Sequence, residues 1–131
     1  MRADIIVEQN KEGYFSCYLR QELPYVAPLG YGETSQEAID GLISFYEEER
    51  AELAKEGKEL PELTFSVHYD MPSFFNRFSF LNVSRIAEIA GINPSLMRKY
   101  SAGLVNAGQQ QYDKLHAAVQ KIAREMLAAS F

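Results

Sequence analysis

Val83-Ser84-Arg85-Ile86-Ala87-Glu88-Ile89-Ala90-Gly91-Ile92-Asn93-Pro94-Ser95-Leu96-Met97-Arg98-Lys99-Tyr100-Ser101-Ala102-Gly103 carries the densest local signals in the chain. Asn82, just before it, is a good N-cap, and Gly91 closes the first helix where a left-handed backbone is needed. Asn93 caps a second helix with Pro94 at its first position, where a missing amide costs nothing. Gly103 ends that helix. Ala87 stands where two helices must approach closely, and Ile86, Ile92, Met97 and Tyr100 supply apolar pins between them. Ser95, Arg98 and Lys99 are then left as the exposed polar positions of the second helix.

Outward toward the C-terminus, Tyr112, Leu115, Val119, Ile122 and Met126 recur at alternating three- and four-residue steps, which predicts a last helix from about 109 to 126. In the other direction, Ser73 is expected to cap a short aromatic turn holding Phe74, Phe75 and Phe78. Met71-Pro72 interrupts any longer helix, because the residue before proline is turned away from the helical region. Strand-like alternation ends at Tyr69. The sequence therefore predicts two modules, 1–70 and 71–131.

The first module reads as a small antiparallel sheet with one helix. Residues 4–9 and 14–20 form a strand pair around the polar turn Asn10-Lys11-Glu12-Gly13, with Phe15, Cys17 and Leu19 alternating against Tyr14, Ser16, Tyr18 and Arg20. Pro24 and Pro28 confine any third strand to Tyr25-Val26-Ala27, short or at an edge. Gly30 and Gly32 punctuate a turn. Thr34-Ser35-Gln36-Glu37 is a capping box opening a helix over about 35–56, whose stripe is Ile39, Leu42, Ile43, Tyr46 and Leu53. Leu63 to Tyr69 alternates again as a strand. The fold class is α+β followed by an all-α module.

Charge divides along the same line. The chain carries −5 in all; residues 1–70 hold six Lys and Arg against fifteen Asp and Glu, and residues 71–131 hold seven against three. Two modules with different partners are expected, an acidic one and a weakly basic one. Cys17 is alone, so the chain forms no internal disulfide, and a cytoplasmic setting is expected. The N-terminus lacks the pattern of a signal peptide, and no apolar run is long enough to span a membrane.

The 83–103 stretch resembles the helix-turn-helix of phage-repressor-like, Cro-type DNA-binding domains. That resemblance implies that Asn93 to Ser101 is a recognition helix whose first turn, with Asn93 and Ser95, faces the major groove of double-stranded operator DNA. It implies a guanine contact for Arg98, a base or phosphate contact for Lys99, and backbone contacts for Ser84 and Lys114. Val83 departs from the pattern, standing where that family often has a phosphate-binding glutamine.

The first module resembles the HicB family of antitoxins. The likeness rests on the opening strand pair, Gly30-Tyr31-Gly32-Glu33-Thr34, and Ser35-Gln36-Glu37-Ala38-Ile39, and covers about residues 3–69. It implies a degraded ribonuclease-H-like sheet that holds a basic HicA-like toxin, with a DNA-binding tail that autorepresses the operon. Leu23-Pro24-Tyr25 departs from the usual pattern, so a solitary regulator on the same plan is the alternative. A homo-oligomer, dimer or tetramer, is expected, through the open sheet edges of the first module in preference to the Tyr112–Met126 stripe.

Catalysis is not expected, nor a metal or cofactor. A ribonuclease-H-like nuclease needs carboxylates converging on two metal ions; Asp4 and Glu8 share a strand face, but capping accounts for Glu37 and the later strand offers only His68 and Asp70. Cys17 lacks a histidine partner, and Gly30-x-Gly32 lacks the lysine and spacing of a phosphate loop. A purely protein-binding adaptor is the remaining alternative.

Overall fold

A computed structural model describes all 131 residues. The chain divides into two compact units, Met1–Arg77 and Phe78–Phe131.

The first unit begins with strands β1 (Arg2–Gln9) and β2 (Phe15–Leu19), paired antiparallel with Val7 opposite Cys17. Asn10 organises their turn by accepting from the amides of Glu12 and Tyr14, at 3.1 and 2.9 Å, and Gly13 takes φ 90°. The third strand, β3, is Leu29–Gly32 and lies at the sheet edge beside β2. It is not the expected Tyr25–Ala27 segment, and Gly30 and Gly32 lie in a strand instead of a turn. Helix α1 (Ser35–Lys55) follows, and strand β4 (Thr64–Tyr69) then pairs with β1 in parallel.

The sheet order is therefore β3-β2-β1-β4, and the sheet is mixed where an antiparallel one was expected. The reason is the crossover: α1 carries the chain over one face, so β4 returns in the direction of β1.

Alternation decides which face α1 covers. Ile5 and Val7 of β1 and Phe15 and Cys17 of β2 pack against Ala38, Ile39 and Leu42 of the helix. Ala3, Tyr46, Leu60 and Leu63 close a second cluster, with the Tyr46 hydroxyl donating to the Pro61 carbonyl. Gly30 is what lets the helix come this close. A Cβ there would stand 1.9 Å from the Ala38 carbonyl oxygen and 2.8 Å from the Cys17 sulfur. Gly32 serves likewise, since its Cβ would meet that of Glu37 at 2.5 Å. Glycines that read as turn formers are thus contact glycines in a strand.

Helix α1 starts as the capping box predicts at one end: Thr34 accepts from the Glu37 amide at 3.1 Å. The Glu37 carboxylate, however, accepts from the Glu33 amide, one residue before the cap.

Helix α2 (Met71–Arg77) starts directly after β4 and belongs to the first unit, so that unit ends seven residues beyond the expected boundary of 70. Its cap is Asp70, not Ser73: Asp70 Oδ1 accepts from the Ser73 amide at 2.8 Å, and Oδ2 accepts from Gln9 at 2.9 Å. The expected cap, Ser73, is fully buried within α2, and Ser35 Oγ donates to its carbonyl and to Asn76 Oδ1. One carboxylate and two polar side chains thus tie α2 to β1 and to the start of α1.

The second unit holds α3 (Val83–Ala90), α4 (Pro94–Ser101) and α5 (Gln109–Ala128). All three fall within two residues of the spans read from the sequence. No helix of the chain is long and apolar enough to cross a membrane.

Candidate functional site

The second unit's local chemistry is set by its helix ends. Asn82 and Asn93 each place Oδ1 on the third helical amide, 3.0 Å from Arg85 N and 3.2 Å from Leu96 N. Gly91 takes φ 73°, ψ 32°, and the Ile92 amide bonds back to the Ala87 carbonyl at 2.9 Å. That left-handed residue turns the chain sharply, and Ile86, Ala87, Ile92, Met97 and Tyr100 are buried in the angle it makes. The spacing of 83–103 therefore produces two short helices pinned across a tight turn.

Three expected site residues come together on the outside of this pair. The Arg98 guanidinium donates through Nη1 to Ser84 Oγ at 2.8 Å and through Nη2 to Ser95 Oγ at 3.1 Å. Ser84 and Ser95 are both the second residue of their helices. The amino ends of α3 and α4, each with positive partial charge from unsatisfied amides, are therefore gathered around one cation. The partners of Arg98 are hydroxyls, so its charge is not compensated. Arg85, in contrast, is paired with Glu88 at 2.8 Å. Chemically the patch is suited to an anion, or to the acceptor edge of a planar ring, because a guanidinium keeps further in-plane donors after two are used.

The other expected residues are placed differently. Lys99 is exposed beside Arg98 on α4. Asn93 is occupied as the cap of α4, so its oxygen is committed to the Leu96 amide. Lys114 lies in the first turns of α5, half-buried, sixteen residues along the chain from Arg98.

In the first unit the structure assembles a group that sequence reading missed. Asp4 Oδ1 lies 3.0 Å from His68 Nε2, Oδ2 accepts from Gln21 at 3.0 Å and pairs with Arg20 at 3.3 Å. The bonds from Gln21 and His68 hold the Asp4 carboxyl below its usual range. The signal was the parallel register that sets β4 beside β1, which no local pattern encodes. With its oxygens so engaged, Asp4 is a tie between β1, β4 and the segment after β2. No group of three or more His, Cys, Asp or Glu is placed to hold a metal ion. Cys17 is buried, donates to the Ala38 carbonyl at 3.1 Å, and burial pushes its thiol up to about 11.

Comparison with protein-family models, curated proteins and solved structures gives no match for this chain.

Proposed function

We propose that the chain is a DNA-binding transcriptional regulator in which α3 and α4 act as a helix-turn-helix and α4 is the recognition helix. The observation that carries this reading is the Arg98 fork, held between Ser84 and Ser95 at the amino ends of both helices and lacking a carboxylate partner. A duplex supplies both things such a patch takes: phosphates for the helix ends and guanine edges for the guanidinium. The second unit's six Lys and Arg against three Asp and Glu agree with it, whereas the first unit holds seven against fifteen.

On this reading the acidic first unit receives a basic protein. The order β-β-β-α-β and the excess of carboxylates support a HicB-like module that neutralises a HicA-like toxin and works in the cytoplasm. Fluorescence anisotropy tests the proposal: full-length protein is titrated into a labelled duplex from its own promoter and into a shuffled duplex, at several salt concentrations. Tighter binding to the promoter, weakening as salt rises, supports it. Equal, negligible binding to both at low salt refutes it.

A further inference from the structure

Strand β3 ends the sheet on one side and packs against β2 and α1. Every second residue of such an edge turns its amide and carbonyl outward, where another strand can take them. Edges are commonly blunted by lysine, an inward-pointing charge or a bulge, but Leu29-Gly30-Tyr31-Gly32 is uncharged and pairs with β2 residue for residue. Gly30 and Gly32 face α1, so Leu29 and Tyr31 stand on the other face, 50% and 69% exposed, with Tyr18 opposite Leu29 at 42%. Beside that pair, the segment joining β2 to β3 forms a cleft of about 360 Å³, lined by Tyr18, Leu23, Val26 and Leu29 and by Glu22. The cleft is held in shape. Across Tyr25, at φ 68°, the Val26 amide donates to the Pro24 carbonyl at 2.9 Å, a tight turn that is rare and strained at a residue with a side chain. Leu23 and Val26 also pack against the cluster of Ala3, Tyr46, Leu60 and Leu63.

We propose that β3 and this cleft together take an extended basic segment of another protein, which joins the sheet as a fifth strand. The inference rests on the reading that the first unit receives a basic protein, and it says where and how. Charge selects the occupant. The unit holds fifteen Asp and Glu against seven Lys and Arg. Glu22 and Glu33 flank the uncharged strand, whereas the ion pairs engage Asp4, Glu47, Glu52, Glu56 and Glu88. A second copy would bring more carboxylates to these two; a basic segment neutralises them. The cleft selects the side chain. Apolar walls with a carboxylate beside them suit Lys or Arg, whose stem is covered while its charged head stays near the carboxylate. A four-residue strand offers few ladder bonds, so this second hold is what makes the contact specific. Side chains two apart on an added strand share a face. One standing opposite Leu29 therefore leans into the cleft toward Glu22, while the next on that face lies on the Tyr31 ring as a cation–π contact. The segment's signature is Lys or Arg at alternate positions.

The probe is a fluorescein-labelled peptide of alternating arginine and threonine, titrated with full-length protein at about 100 mM salt, where charges beyond about 10 Å are largely screened. Glu22 and Tyr31 are exposed, so Glu22→Lys and Tyr31→Ala leave the fold intact, which circular dichroism confirms. Each is expected to raise the peptide's dissociation constant at least about fivefold. Glu48→Lys, the same charge change on an exposed site of α1, should stay within about twofold of wild type. The peptide N-methylated at every backbone amide keeps its charge but donates no ladder bond, and should bind at least about tenfold more weakly. Binding that is indifferent to Glu22→Lys, Tyr31→Ala and N-methylation overturns the docking site and leaves the basic-partner reading standing. No binding of the peptide at about 100 µM protein overturns both. A dimer seen by sedimentation equilibrium without peptide and abolished by Tyr31→Ala also overturns the inference, because the edge would then belong to a second copy.

Discussion

Arg98 Nη1 and Ser84 Oγ lie 2.8 Å apart, joining the second of two short helices to the first across a span of fourteen residues. The bond holds a guanidinium in a fixed direction before any ligand arrives, which lowers the ordering cost of binding. Ser84→Ala removes one exposed hydroxyl contact. Thermal melting is expected to stay within about 0.5 kcal/mol of wild type, while promoter affinity falls by about 0.5–1.5 kcal/mol. Calorimetric melting and anisotropy on the same samples check both halves.

Gly30→Ala is the most damaging single methyl group in the first unit. Its Cβ would collide with backbone, the Ala38 carbonyl, which cannot swing away as a flexible side chain would. Helix α1 must then lift off the sheet and open the cluster of Ile5, Cys17 and Leu42. A loss of about 3 kcal/mol or more is expected in urea unfolding. Gly41→Ala is the matched control, because a Cβ there meets nothing within 4 Å, and it should leave stability equal or slightly raised.

Asp4 makes the first unit acid-sensitive. Its folded pKa lies below the ordinary carboxylate value because Gln21 and His68 bond the charged form. A depressed carboxyl contributes stability that is present above the unfolded pKa and is lost as pH falls through the folded one. The urea midpoint should therefore drop as pH is lowered below about 4, and Asp4→Asn should flatten that part of the profile. Identical profiles for the two proteins between pH 5 and 2.5 would show that the carboxylate's partners do not matter.

Cys17 should be inert in the folded protein. The thiol is buried and raised to about 11, so at pH 8 almost none is thiolate. Ellman's reagent is expected to react only as the first unit unfolds, with a rate that rises with urea. A fast reaction in buffer alone would mean that α1 opens readily from the sheet.

What was legible in the sequence was whatever local chemistry encodes. Asn82, Gly91, Asn93 and Pro94 fix their helix ends within a few residues of themselves, so α3 and α4 were readable from the letters. So was α1, from Thr34 to the glycine at 57. The edge strand was missed because Leu29–Gly32 contains two glycines and follows Pro28, a composition that reads as a turn; its glycines answer to a helix distant in sequence. The parallel pairing of β4 with β1, and with it the Asp4–His68 contact, is a long-range register that no window of residues reveals. Ser73, nearer the aromatic run, reads as the cap, whereas the Asp70 carboxylate takes that role. In the site, Ser84, Ser95 and Arg98 are each legible from the motif, but their convergence is tertiary and belongs to the structure alone.

On the proposed function Arg98 reads sequence, and a titration of three proteins tests this. Wild type, Arg98→Ala and Lys114→Ala are compared on promoter and random duplexes at several salt concentrations. Lys114, at the start of α5, would at most neutralise a phosphate, so its loss should weaken both duplexes alike and reduce the salt slope by about one unit. Arg98→Ala should cost about 1–3 kcal/mol on the promoter duplex and much less on the random one. Equal losses on the two duplexes for Arg98→Ala would make Arg98 a backbone contact, and α4 would then not be the helix that reads the bases.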